Sequence, residues 1–195
     1  ASCEALRDAA TAVDVPYVSG NVSLYNETHE GAIPPTPVLM GIGLVNDIRK
    51  CVTSDMKSKG SIWLVGQTKE EMGASLYYRT LGLECAKVPS TNFKTFLPRM
   101  EQLIQAIENE EVVACHDISN GGLALSIIEM CMSGIGAEIT FDGQLRNDVE
   151  LFSESNGRWI VQVNPKYEDA FSKRFDFAKK IGDINEKIIF KSGNE

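Results

Sequence analysis

The spacing of apolar residues changes several times along the chain, and each change predicts an element. Ala5, Leu6, Ala9, Ala10 and Val13 recur at helical spacing and predict a helix over residues 2–13. Residues 15–18 form a short strand-like run, residues 38–45 an apolar strand with Gly41 and Gly43 inserted, and residues 61–66 a buried strand. Thr68 and Glu71 stand at capping-box spacing and predict a helix from there to about Leu81. Phe96, Met100, Leu103, Ile104 and Ile107 mark a helix over 93–109. A strand at 112–115 leads through Gly121-Gly122 into a helix reaching Met132, with Gly134 and Gly136 as its stop. Strands at 137–141 and 158–163, a helix from Pro165 to about Lys180, and a strand-like segment at 184–190 complete the series. Strands alternating with helices imply a sheet covered by helices, and strands that follow one another directly make that sheet mixed. The expected class is α/β in the α+β sense. Residues 19–36 read as a polar connection ending in Ile33-Pro34-Pro35-Thr36-Pro37, a stiff extended stretch that places a domain boundary near residue 36.

Composition narrows the function classes. The 195 residues carry 27 Asp+Glu against 19 Lys+Arg, a net charge of −8, and 43% are hydrophobic. A core of ordinary size is possible, and the acidity argues against a non-specific nucleic-acid binder, which needs a basic face. No apolar run is long enough to span a membrane, and no signal-peptide pattern opens the chain. Five cysteines at 3, 51, 85, 115 and 131 are odd in number and widely spaced, which suits a reducing compartment. They read as small core hydrophobes, without zinc spacing. Cys115 and His116 are adjacent on a strand and therefore face opposite ways, so they do not pair as nucleophile and base. The start at Ala1 in helical spacing, and the stop at Glu195 just after a strand-like run, suggest a piece of a longer protein.

Three segments could carry chemistry. In 19–28, Gly20 lets a ligand approach the backbone, Asn21 offers an amide oxygen suited to Mg²⁺, and Ser23 offers a hydroxyl to a phosphate or polar substrate. An extended backbone puts Asn21 and Ser23 on one face. An ordinary polar loop with Asn and Ser as turn residues is the alternative. In 116–123, Asp117 and Ser119 precede a Gly pair at a helix start, which suits either an anion or a simple cap. In 151–158, Glu154 between two serines suits a metal or a ribose, or else a turn before the strand. Glu70-Glu71 reads as a helix-start charge pair, and Lys173, Arg174, Lys179 and Lys180 as a solvated helix face.

Taken together, Gly20-Asn21-Val22-Ser23-Leu24-Tyr25-Asn26-Glu27, Ile33-Pro34-Pro35-Thr36-Pro37, His116-Asp117-x-Ser119-x-Gly121-Gly122-Leu123 and Leu151-Phe152-Ser153-Glu154-Ser155-x-x-Arg158 resemble the large (synthetase) subunit of phosphoribosylformylglycinamidine synthase. That family is built of two similar halves, each with an ATP-binding N-domain and an α/β C-domain. The resemblance implies that residues 1–36 end the second N-domain, and that 37–195 are the second C-domain, truncated at its end. It implies ATP-dependent conversion of formylglycinamide ribonucleotide to its amidine, through an iminophosphate, in the fourth step of purine synthesis. ATP and Mg²⁺ are the implied cofactors. The implied partners are a glutaminase supplying ammonia and a small third subunit, in the cytoplasm, without nucleic-acid polymer or membrane. Carried onto this chain, Gly20 becomes an ATP contact, Asn21 a Mg²⁺ ligand and Ser23 a substrate contact. His116 is not assigned to catalysis, because its turn in this half lies away from the main reaction, and Asn120 stands where Asp is common. Alternatives are a sister enzyme such as aminoimidazole ribonucleotide synthetase, or a scaffold or docking domain without activity when isolated.

Overall fold

A strand buried at every residue must be covered on both faces, and Ser61-Ile62-Trp63-Leu64-Val65 is such a strand. The computed structural model describes residues 2–21, 25–34, 36–84 and 87–192. Its elements in chain order are α1 (Ser2–Val13), β1 (Glu27–Thr28), β2 (Gly31–Ala32), β3 (Ser61–Val65), α2 (Leu76–Thr80), α3 (Phe93–Glu108), β4 (Val112–Asp117), α4 (Gly122–Met130), β5 (Gly136–Phe141), α5 (Asn147–Phe152), β6 (Trp159–Val163), α6 (Glu168–Arg174), β7 (Ala178–Asn185) and β8 (Ile189–Ser192). The chain divides into two compact units, residues 1–46 and 47–195.

The first unit holds α1 and the antiparallel β1–β2 hairpin. The Tyr17 hydroxyl donates to the Leu6 carbonyl at 3.0 Å and ties the following segment back to the helix. None of its described residues is buried.

The second unit is a six-stranded sheet in the order β4-β6-β3-β7-β5-β8, antiparallel except for the parallel β5–β8 pair. Alternation along β3 and β6 splits the core in two. Ile62, Leu64 and Ile160 pack on one side with Leu123, Ile127 and Met130 of α4. Trp63, Val65, Val161 and Val163 pack on the other with Leu103 of α3 and Phe171 of α6. The buried Gln162 is fully bonded: its Nε2 donates to the carbonyls of Lys57 and Lys59, and its Oε1 accepts from the Lys57 amide at 2.7 Å. Val65 and Asp117 both register with Trp159, so the ends of β3 and β4 and the start of β6 are level. That alignment gathers the loops following β3 and β4 and the loop preceding β6 at one end of the sheet.

The mixed, helix-covered sheet matches the expected class, but several local expectations are corrected. Residues 15–18 and 38–45 are not strands, because no described segment pairs with them, and an apolar run becomes a strand only by pairing. The helix expected from Thr68 shrinks to α2, because Thr68 and Glu71 bond into the protein and Ala74 adopts a left-handed φ of 61°. The helix expected to reach Lys180 stops at Arg174, and the interior strand β7 takes over, bonded by β3 on one edge and β5 on the other. Lys179 and Lys180 are therefore strand residues. The segment at 184–190 divides between β7 and β8, and their connection crosses the start of β5, where a Cβ on Gly136 would lie 2.5 Å from the Lys187 backbone. The helix α5 and the β1–β2 hairpin are additional to the elements expected. Cys115 and Cys131 are packed into the protein, whereas Cys3 and Cys51 are exposed and Cys85 lies outside the described residues.

Phe171 stacks on Phe175 at 4.2 Å and meets Trp63 edge-on at 5.4 Å. Phe171→Ala is expected to destabilise the second unit by about 3–5 kcal/mol in urea unfolding, and a loss under about 1 kcal/mol would contradict this core assignment.

Candidate functional site

Of the sequence-derived site residues, Gly20 and Asn21 belong to the first unit. They line an open cleft of about 1400 Å³ with Tyr17, Tyr25 and Asn26 among its walls. A Cβ built on Gly20 would meet nothing within 4 Å, so its backbone is open to approach. Ser23, the expected substrate contact, lies outside the described residues, so its placement beside Asn21 is not described.

The other two chemistry-bearing segments meet in the second unit, joined by the loop after β3. Arg158 is the centre of this network and is 2% exposed. Its Nε donates to the Ser155 carbonyl at 2.9 Å, its Nη2 to the Ser153 carbonyl at 2.5 Å, and its Nη1 to Thr68 Oγ1 at 2.9 Å. Burial pulls this guanidinium down to about 10, while the charges of Glu150, Glu71 and Glu154 hold it up. It therefore stays protonated at neutral pH. Ser153 and Ser155 both donate to the Lys69 carbonyl, and Ser155 Oγ accepts from the Lys69 amide at 3.1 Å. Glu154 Oε1 accepts from the amides of Leu76 and Gly121, each at 2.8 Å. One carboxylate thus caps the starts of both α2 and α4, so this oxygen is occupied by the protein itself.

The turn after β4 is shaped by close packing. Gly121 and Gly122 have φ of +77° and +64°, and a Cβ on Gly122 would stand 2.7 Å from the carbonyl oxygens of Leu151 and Ser153. Asp117 and Ser119 are exposed. His116 Nδ1 faces the Asp117 carbonyl at 2.6 Å, and its Nε2 lies 3.4 Å from Glu129. Burial, reinforced by the Asp117 charge, pushes the Cys115 thiol up to about 12. Its thiolate is scarce at neutral pH, in agreement with the exclusion of a Cys/His nucleophile.

Two carboxylates take roles that the sequence reading misplaced or missed. Glu71, expected at a helix start, is 1% exposed, with Ser90 Oγ 3.5 Å and the ammonium groups of Lys87 and Lys69 3.9 and 4.0 Å from Oε1. Glu150, unremarked in the sequence, lines a separate cavity beside the Asp142–Lys179 ion pair. Burial, with the Asp142 charge, raises its carboxyl above the ordinary range against the pull of Lys179. The signal available for Arg158 was its place after Ser153-Glu154-Ser155; Glu71 and Glu150 had no comparable sequence signal.

Residues 60–190 match the family described as AIR synthase related protein, C-terminal domain. The chain is 40% identical over 198 aligned residues to phosphoribosylformylglycinamidine synthase subunit PurL of Thermococcus sibiricus, an alignment covering 97% of this chain and 28% of that protein. It is 38% identical over 172 residues to the PurL subunit of Alkaliphilus metalliredigens, covering 87% of this chain and 23% of the other. The chain thus spans about a quarter of the length of these curated relatives. Among solved structures, Thermotoga maritima PurL complexed with FGAR superposes with a TM-score of 0.60 at 17% identity, over 74% of this chain and 27% of that one. The same protein complexed with ATP gives 0.54 at 18% identity, over 74% of this chain and 25% of that one. These structural likenesses bear on the fold.

Replacing Arg158 with Met is expected to cost about 3–5 kcal/mol, because the Ser153 and Ser155 carbonyls lose their donors and nearby carboxylates lose their counter-charge. Denaturant unfolding measures this, and a near-neutral result would remove Arg158 from its central role. Because Glu150 holds its proton longer in the folded state, its ionisation opposes folding as pH rises above the ordinary carboxylate range. Glu150→Gln should therefore be more stable than the parent at neutral pH, with the gap closing below about pH 4. A gap that is the same at both pH values would contradict the assigned burial effect.

Proposed function

The chain belongs to the AIR synthase related family, whose C-terminal domain it carries, and on that premise we propose that it serves in an ATP-dependent carbon–nitrogen ligase acting on formylglycinamide ribonucleotide. The observation that carries this reading is the 40% identity to a PurL subunit across 97% of the chain, including the Gly20–Glu27 stretch. In this reading residues 1–36 close a second ATP-binding N-domain and 37–195 form the second C-domain. The partners are a glutaminase and a small third subunit, and the compartment is the cytoplasm. Among the described residues no helix is long and apolar enough to cross a membrane.

The chemistry has a simple logic. An amide oxygen is a poor leaving group, and its phosphorylation to an iminophosphate lets ammonia displace phosphate. Mg²⁺, when bound, would offset the charge on the transferring phosphoryl group. The donor set supports such an ion. Asn21 brings a neutral, hard amide oxygen, and Mg²⁺ commonly takes one or two protein oxygens while phosphates and waters complete its shell. Asn21 would be one ligand of such a site. Gly20, unhindered at its Cβ position, suits close passage of a phosphate chain. Ser23 is assigned to the ribonucleotide substrate. No residue of this chain is assigned a bond-breaking role.

In the full-length parent, Asn21→Ala should lower Mg²⁺-dependent amidine formation by roughly 10–100-fold, with partial recovery at raised Mg²⁺. Parental kinetics at low Mg²⁺ would remove the metal assignment. The isolated 195-residue chain should form no amidine from formylglycinamide ribonucleotide, ATP and ammonia, and measurable turnover by it would overturn the division of labour proposed here.

A further inference from the structure

The cavity beside Glu150 takes no part in the nucleotide reading and belongs wholly to the second unit. It has a volume of about 260 Å³, the share of roughly nine liquid waters at ~30 Å³ each. Its apolar lining comes from Leu64, Leu123, Phe141 and Ile181, which are part of the main core or its extension. Gln67, Thr68, Thr140, Gln144 and Glu150 add polar groups, together with the Asp142–Lys179 ion pair. The cavity is thus apolar on the core side and polar around the rest, a combination that could hold a small amphiphilic molecule.

The groups lining the cavity carry one more negative charge than positive, Asp142 and Glu150 against Lys179. Lys179, the one cation among the described residues lining the cavity, is bonded to Asp142, so that pair is internally neutral. Arg158 lies nearby but does not line the cavity, and its donors are committed to Ser153, Ser155 and Thr68. Glu150 is half-buried, and among the described residues no cation lies within salt-bridge distance of its carboxylate. Ionised Glu150 therefore has the Leu145 backbone and the longer-range charges of Lys179 and Arg158 to stabilise it, but no ion-pair partner at contact distance, and a ligand cation could take that place.

We propose that this cavity binds a compact organic cation, a protonated primary amine on an apolar body of about eight to ten non-hydrogen atoms, with Glu150 receiving the ammonium and the Leu64–Phe141 side taking the body. The two halves of the lining act together. Expelling water from the apolar lining supplies affinity, and Glu150 supplies the choice of sign. Benzylamine is the simplest probe of this chemistry, and its neutral and anionic counterparts are benzyl alcohol and benzoate.

The test is titration of the isotope-labelled 195-residue chain at pH 7.5, followed by amide NMR shifts. Benzylamine should give saturable shifts at Thr140, Phe141 and Glu150 with a Kd on the order of 1 mM, as expected for a ligand of this size. Benzoate and benzyl alcohol should bind at least tenfold more weakly. Glu150→Gln, expected to fold at least as stably as the parent, should weaken benzylamine at least tenfold and leave benzyl alcohol unchanged. Equal binding of benzyl alcohol, preference for benzoate, or an unaltered Glu150→Gln titration would each overturn the assignment. So would the lack of saturable shifts at these residues up to about 20 mM.

Discussion

One buried cation sets the terms for the chemistry-bearing end of the sheet. A guanidinium withdrawn from water is tolerated only when its donors are met and its charge is balanced. Arg158 meets the first condition with two main-chain carbonyls and one hydroxyl, and the second with carboxylates that act at longer range. Because those partners lie on the segment before β6 and the loop after β3, the cation fixes both at once. Glu154 extends the same network to the starts of α2 and α4. Arg158, Glu154, Ser153 and Ser155 each hold more than one partner, so loosening one of them leaves others unpaired in a low-dielectric interior.

The network sits where it does because the sheet is covered on both faces. The level ends of β3 and β4 and the start of β6 bring three loops to one place, and the helix layers keep water from the strands beneath. The free edge of β4 is blunted by a parallel bridge between Thr53 and Ala114, a common way to protect an exposed row of backbone donors and acceptors. The Glu150 cavity borders the same core through Leu64, Leu123, Phe141 and Ile181.

The first unit is held by different forces. Its described residues include none that is buried, and its order rests on local bonds such as Tyr17 to Leu6 and the short β1–β2 hairpin. Gly20 and Asn21 stand on this segment. Their assignment draws on the likeness of the sequence and on their donor chemistry rather than on a packed pocket. The two units thus separate the roles: one carries the nucleotide assignment on polar backbone, the other a packed sheet with its own polar network.

The sequence by itself determined the helices α1, α3 and α4, the apolar strands near β3, β4, β5 and β6, the mixed character of the sheet, and the family likeness. These are readable because hydrophobic spacing and glycine turns act over a few neighbouring residues. Tertiary structure decided the rest. Thr68 and Glu71 look like a helix start until Arg158, some ninety residues away, takes Thr68 as its acceptor and Glu71 is buried. Ala178 to Lys180 look helical until β3 pairs with them along one edge, while β5 pairs with the later residues of the same strand. Glu150 is an unremarkable acid until burial beside an ion pair gives it a raised proton affinity. Those outcomes depend on contacts between residues far apart in the chain, and local spacing carries no record of which distant partner will arrive.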